Sequence, residues 1–198
     1  MKLSKILLIL PLMFVLACTS KQPKQEKSQI EEVKLEGETF DLDYPILLSE
    51  WGFFSDPISS LSPQEGVHPY ELNTPLFTDY ARKLRFLKLP IDSQAVYHAK
   101  EVMSFPKGAI LIKNFLYPLD LRESEGAKRL VETRLLINEL EGWKALTYVW
   151  KDDQSDATLR IAGASIPISW TDDSGILKKV NYSVPNLVQC KNCHELSG

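Results

Sequence analysis

Between Arg129 and Trp150 the side chains alternate in the way only a β-strand can use. Arg129 to Leu140 sets Leu130, Glu132 and Arg134 against Val131, Thr133, Leu135 and Ile137. After Glu141-Gly142, Trp143 to Trp150 sets Ala145, Thr147 and Val149 against Leu146, Tyr148 and Trp150. A Gly-containing turn between two period-2 runs is a hairpin signal. Further strand signals lie at Ala95 to Met103, Ala109 to Tyr117, Thr158 to Ile161, Ile166 to Trp170 and Leu177 to Val184, with Asp172-Asp173-Ser174-Gly175 as a turn. Ser55 to Pro75, dense in Pro, Ser and Asn, reads as extended loop. Many short strands separated by turns predict a mainly β fold, an antiparallel β-sandwich or jelly-roll-like domain.

The two ends have a different character. Lys2 and Lys5 precede an apolar run, Ile6 to Leu16, that is too short to span a bilayer comfortably and reads as an export signal. Val15-Leu16-Ala17-Cys18 resembles a bacterial lipobox, which implies lipidation of Cys18 as the first mature residue. The alternatives are plain secretion and a buried N-terminal helix. Residues 18–39 are rich in Lys, Gln, Glu and Ser and read as a flexible tether. The expected organisation is a signal peptide over 1–17, an anchored tether over 18–39, a β-rich domain over 40–184 and the start of another region over 185–198.

That last region holds Cys190-Lys191-Asn192-Cys193-His194. Two thiols at this spacing can each add to a vinyl group of one haem, and the adjacent imidazole can then ligate the iron. Pro185-Asn186 reads as the start of a short helix leading into the motif. Half of a zinc site is a competing reading, but zinc needs four ligands and no second CxxC is present. A redox dithiol favours a thioredoxin-like βαβ setting, which the pattern lacks. The expectation is therefore one haem c, held by Cys190 and Cys193 with His194 as proximal ligand. Candidates for a second iron ligand are Met103, His68 and His98, each with an ordinary structural alternative: core for Met103, loop for His68, solvent-facing strand for His98.

Hydrophobic residues make up 44% and charged residues 25%, so a packed core is within reach. Net charge is -3 with Lys and Arg spread along the chain, which leaves no footprint for nucleic acid. Asp152, Asp153 and Asp156 lack the ligand spacing of a calcium loop and read as a solvated turn. Trp51, Trp143, Trp150 and Trp170 read as core and edge packing more than as a sugar-binding surface. Glu132 and Arg134 read as a surface pair on one strand face.

Leu48-Ser49-Glu50-Trp51-Gly52-Phe53-Phe54, Tyr70 to Ala81, Phe105-Pro106-Lys107-Gly108, Glu132-Thr133-Arg134-Leu135-Leu136, Gly142-Trp143, Tyr148-Val149-Trp150 and Val184-Pro185-Asn186 together resemble a family of exported bacterial c-type cytochromes, often labelled di-haem. The resemblance covers roughly residues 46 to 194. It implies a β-rich region before CxxCH and a helical cytochrome region after it, which supplies the distal ligand. Only the beginning of that second region is expected within these residues, and one CxxCH implies one haem. The functional expectation is a lipid-anchored electron carrier on the periplasmic side of a bacterial membrane, with a redox partner the sequence does not name. A soluble periplasmic form is the alternative location. The alternative function is a lipid-anchored β-sandwich binding module.

Overall fold

The computed structural model describes residues 34–35, 38–39, 44–74, 77, 80–186 and 189. Among them, ten strands follow in chain order: β1 (Lys34–Leu35), β2 (Glu38–Thr39), β3 (Val67–Tyr70), β4 (Arg82–Lys88), β5 (Ile110–Pro118), β6 (Lys128–Glu139), β7 (Gly142–Trp150), β8 (Ala157–Leu159), β9 (Ala164–Thr171) and β10 (Leu177–Val184). Two short 3-10 turns, Leu48–Trp51 and Ile58–Ser60, precede β3. Strands β3 to β8 form one six-stranded sheet; β1 with β2 and β9 with β10 form separate pairs. Every strand pairing is antiparallel. The mainly β, antiparallel expectation is met. The large sheet, however, is a meander in which each strand pairs with its sequence neighbour, not a jelly roll.

The predicted hairpin forms around Leu140-Glu141, with Glu139 opposite Gly142. Gly142 has φ +128, a conformation that side chains disfavour, so glycine lets the chain reverse there. The alternation holds along β7, and in β6 from Glu132 onward; a bulge at Val131 moves Leu130 to the face of Leu135 and puts Val131 on the opposite one. Leu135, Ile137, Leu146, Tyr148 and Trp150 join one buried cluster, which Leu48, Phe53, Phe54 and Ile58 cover from the N-terminal side. On the opposite face Phe115, Tyr117 and Val131 pack against Ile168, Trp170 and Tyr182 of the β9–β10 hairpin. Full burial of an aromatic or branched side chain contributes roughly 1.5–3 kcal/mol, so the two clusters hold both faces of the central strands.

Two local expectations are corrected, and one strand lies where no strand was expected. Ala95 to Met103 is a loop closed by a single Val96–Ser104 bridge. Its apolar residues Tyr97 and Val102 stay exposed because no second layer covers them. Arg82–Lys88, which carries four cations, is a strand because β3 and β5 pair with it on both edges. Ser55 to Pro75 is not loop throughout; it holds a 3-10 turn and edge strand β3.

Side-chain bonds fasten the N-terminal segment. Asp156, which is buried, accepts the Ser49 N–H at 3.2 Å, the Ser49 hydroxyl at 2.7 Å and the Ala157 N–H at 2.7 Å. It is thus a tie between β8 and Leu48–Trp51, while Asp152 and Asp153 are exposed as expected of a turn. The Gln154 amide accepts the Leu130 N–H at 2.6 Å and donates to the Leu130 carbonyl at 3.1 Å, fixing the β7–β8 turn against β6.

Candidate functional site

Cys18, Cys190, Cys193 and His194 lie outside the described residues. The chain is described up to their approach. Tyr182 and Val184 are buried in the second cluster, so β10 leaves the sheet region from a fixed end. The Asn186 N–H then donates to Gln189 Oε1 at 3.0 Å, and the Gln189 N–H donates to Asn186 Oδ1 at 2.9 Å. Reciprocal bonding across three residues is the capping-box pattern.

The structure separates the candidate second ligands. His68 is not in a loop; it lies exposed on edge strand β3. Met103 is not core; it is 42% exposed in the loop beside Ser104. His98 shares that loop and is not on a strand; its Nε2 lies 2.9 Å from Ser104 Oγ. No group of three or more metal-ligating side chains forms among the described residues. The tryptophans are also dispersed. Trp150 is buried with Nε1 donating to Thr133 Oγ1 at 3.0 Å, and Trp51 donates to the Tyr148 hydroxyl at 2.7 Å. Trp170 lies in the second cluster, and Trp143 meets Phe105 edge-on at 5.9 Å.

Strand register assembles a cluster that linear sequence reading misses. Tyr70 lies opposite Arg85, Arg85 opposite Lys113, Lys113 opposite Arg134, and Arg134 opposite Thr147. Residues directly opposed in a sheet share a face, so these five form one row across β3 to β7. One pleat along, Lys83 lies opposite Phe115 and Phe115 opposite Glu132. This is the face that the β9–β10 hairpin partly covers.

Glu132 reaches this face through a bulge. Phe115 opposes Glu132 and Leu116 opposes Leu130, which leaves Val131 as the extra residue. Val131 and Glu132 therefore both turn toward the hairpin. Glu132 is 0% exposed, not at the surface as expected. It accepts hydrogen bonds from the Tyr182 hydroxyl and Arg134 Nη2. The pairing with Arg134 is as read from the sequence; the burial is not.

The aromatic ring of Phe115 shelves two of the cations. The Arg134 guanidinium lies 4.5 Å and the Lys113 ammonium 4.9 Å from its centre. Arg85 is buried. Among the described residues, neither Arg85 nor Lys113 makes an ion pair. Burial, then Arg134, Arg85 and Lys83, hold the Lys113 ammonium down at about 8, against an opposing pull from Glu132. The Lys83 ammonium is lowered by burial and then by Arg85. The Tyr70 phenol is raised by burial, with Arg85 opposing.

No protein-family model, curated protein or solved structure matches the chain.

Proposed function

We propose that the protein is a c-type cytochrome anchored by a lipid on Cys18 to the periplasmic side of a bacterial membrane. One haem c is attached through Cys190 and Cys193, with His194 as the proximal iron ligand. The observation that carries this reading is Cys190-Lys191-Asn192-Cys193-His194, together with an apolar run, Ile6 to Leu16, that we read as an export signal. The donor set suits the group: two thiols for two thioether links and a neighbouring imidazole for iron. When bound, haem c supplies a one-electron Fe(III)/Fe(II) couple.

The chain's own residues hold and orient it. Cysteines three positions apart would share a face if the segment is helical, so Cys190 and Cys193 would hold the haem by two thioether links. The reciprocal Asn186–Gln189 bonds support a helix starting one residue after Pro185 and running into Cys190. A buried Val184 supports a firm stem for it.

The test is direct. Full-length protein made with a c-type maturation system retains haem through denaturing electrophoresis, and its pyridine haemochrome spectrum reports one haem per chain. Cys190→Ala combined with Cys193→Ala loses that haem. Covalent haem absent from the wild-type chain, or kept by the double variant, overturns the reading.

A second reading, a lipid-anchored β binding module, is favoured by the cation row on the sheet. Haem-independent ligand binding by that face distinguishes it.

A further inference from the structure

Three cations directly opposed across neighbouring strands are an unfavourable arrangement. Like charges in facing positions repel, and partial burial weakens the solvent screening that tolerates them elsewhere. Arg85, Lys113 and Arg134 nevertheless form such a row, with Lys83 one pleat away. Among the described residues Glu132 pairs with Arg134, while Arg85 and Lys113 make no ion pair. Simple solvation does not account for the row, because Arg85 is buried and the Lys113 and Arg134 side chains rest on Phe115.

The row ends in hydroxyls. Tyr70 flanks Arg85, and Thr147 flanks Arg134 with its buried Oγ1 lacking a hydrogen-bond partner. The row thus offers hydrogen-bond donors along its length and contains no carboxylate. Adjacent strands lie about 4.8 Å apart, which puts the backbones of Arg85 and Arg134 about 10 Å apart with Lys113 midway. Two guanidinium side chains can converge from that distance on an anion above the Lys113 ammonium. Glu132, held by Tyr182, steadies Arg134 from the far side.

We propose that Arg85, Lys113 and Arg134 form a binding site for a phosphate monoester group. A planar carboxylate is satisfied by one guanidinium fork, whereas a tetrahedral dianion has oxygens for donors arriving from three strands. This inference does not rest on haem attachment. The same chemistry is presented by a soluble phosphate ester and by the headgroup of phosphatidic acid in a membrane.

The experiment is calorimetric titration of the full-length protein with inorganic phosphate and with acetate. A parallel arm measures binding to phosphatidylcholine vesicles with and without phosphatidic acid. Phosphate is expected to bind more tightly than acetate. Arg85→Gln and Lys113→Met each weaken it about tenfold, the loss expected of one charge-assisted hydrogen bond. Lys178→Met, which removes a cation paired with Asp172 on β10, leaves affinity unchanged. Near-ultraviolet circular dichroism checks that each variant is folded, and Lys113→Arg, which keeps the charge, retains binding. A response to inorganic phosphate alone assigns the site to soluble esters. A response to phosphatidic acid vesicles, abolished by Lys113→Met, assigns it to headgroups. Acetate equal to phosphate, or Lys178→Met as damaging as Lys113→Met, overturns the proposal. Cys190→Ala plus Cys193→Ala leaves phosphate affinity intact, so failure of the haem reading is separable.

Discussion

The Tyr182 hydroxyl donates to the carboxylate of Glu132, 50 residues earlier, and so ties the β9–β10 hairpin to the bulge in β6. A fully buried carboxylate needs such partners, because an unmet charge in a low-dielectric setting is costly. Tyr182→Phe is expected to cost about 1–3 kcal/mol, the range for leaving a buried polar group short of a partner. Glu132→Leu is expected to cost more, because it also strips Arg134 of its carboxylate and raises repulsion along the cation row. Urea denaturation midpoints measure both, and an unchanged midpoint for Tyr182→Phe would show that the hairpin is held by packing alone.

Asp156 performs the equivalent task on the other face. It accepts three donors, two of them from Ser49. Asp156→Ala is expected to destabilise by about 3 kcal/mol and Ser49→Ala by about 1 kcal/mol. In the double variant the costs do not add, because the same bond is lost twice. Additive losses in a double-mutant cycle would refute the tie.

Lys113 makes stability depend on pH with a definite sign. Its ammonium loses its proton at about 8 in the folded chain and at the ordinary lysine value of 10.5 when unfolded. The folded state thus holds fewer protons in that window, and this group's penalty on folding shrinks as pH rises from about 8 toward 10.5. The charges responsible are Arg134, Arg85 and Lys83, with Glu132 opposing. Lys113→Met is expected to raise the melting temperature at pH 7 and to give no gain at pH 11. Affinity of the row for a phosphate monoester, whose second proton leaves with a midpoint near pH 6, is expected to fall as pH rises through about 8 and Lys113 loses its charge. Thermal melts and titrations at pH 7, 9 and 11 report both trends.

Tyr148 behaves in the opposite sense. Burial pushes its phenol up to about 12, with the hydrogen bond from Trp51 pulling the other way. The folded state therefore keeps a proton that the unfolded chain gives up near 10, and stability from this group is lost as pH climbs from 10 through 12. Tyr148→Phe is expected to flatten that part of the stability profile, followed by circular dichroism; an identical alkaline slope would assign the loss elsewhere.

Cys18→Ser is expected to move the protein from the membrane fraction to the soluble periplasmic fraction. Mass spectrometry of the wild-type N-terminus checks the acyl groups. A wild-type chain found only in the soluble fraction would favour plain secretion.

Much of the architecture was legible because side-chain alternation reports which face a strand buries. Leu146, Tyr148 and Trp150 point into the core that their spacing predicts, and the turn before Trp143 forms where Gly142 permits it. The strand Arg82–Lys88 was not legible, since its cations carry the signature of a solvated segment and only pairing with β3 and β5 makes it a strand. The Ala95–Met103 loop misled in the other direction, because weak alternation without a covering layer does not make a strand.

The sequence by itself determined the antiparallel β class, the buried face of β7 and the Cys190-Cys193-His194 motif, because each of these is a local pattern. Only the tertiary structure decided the meander order, the burial of Glu132 and the row of Arg85, Lys113 and Arg134. Cross-strand register brings together residues far apart in the chain, and a one-residue bulge changes which side chains meet. Neither can be read from any single stretch of sequence.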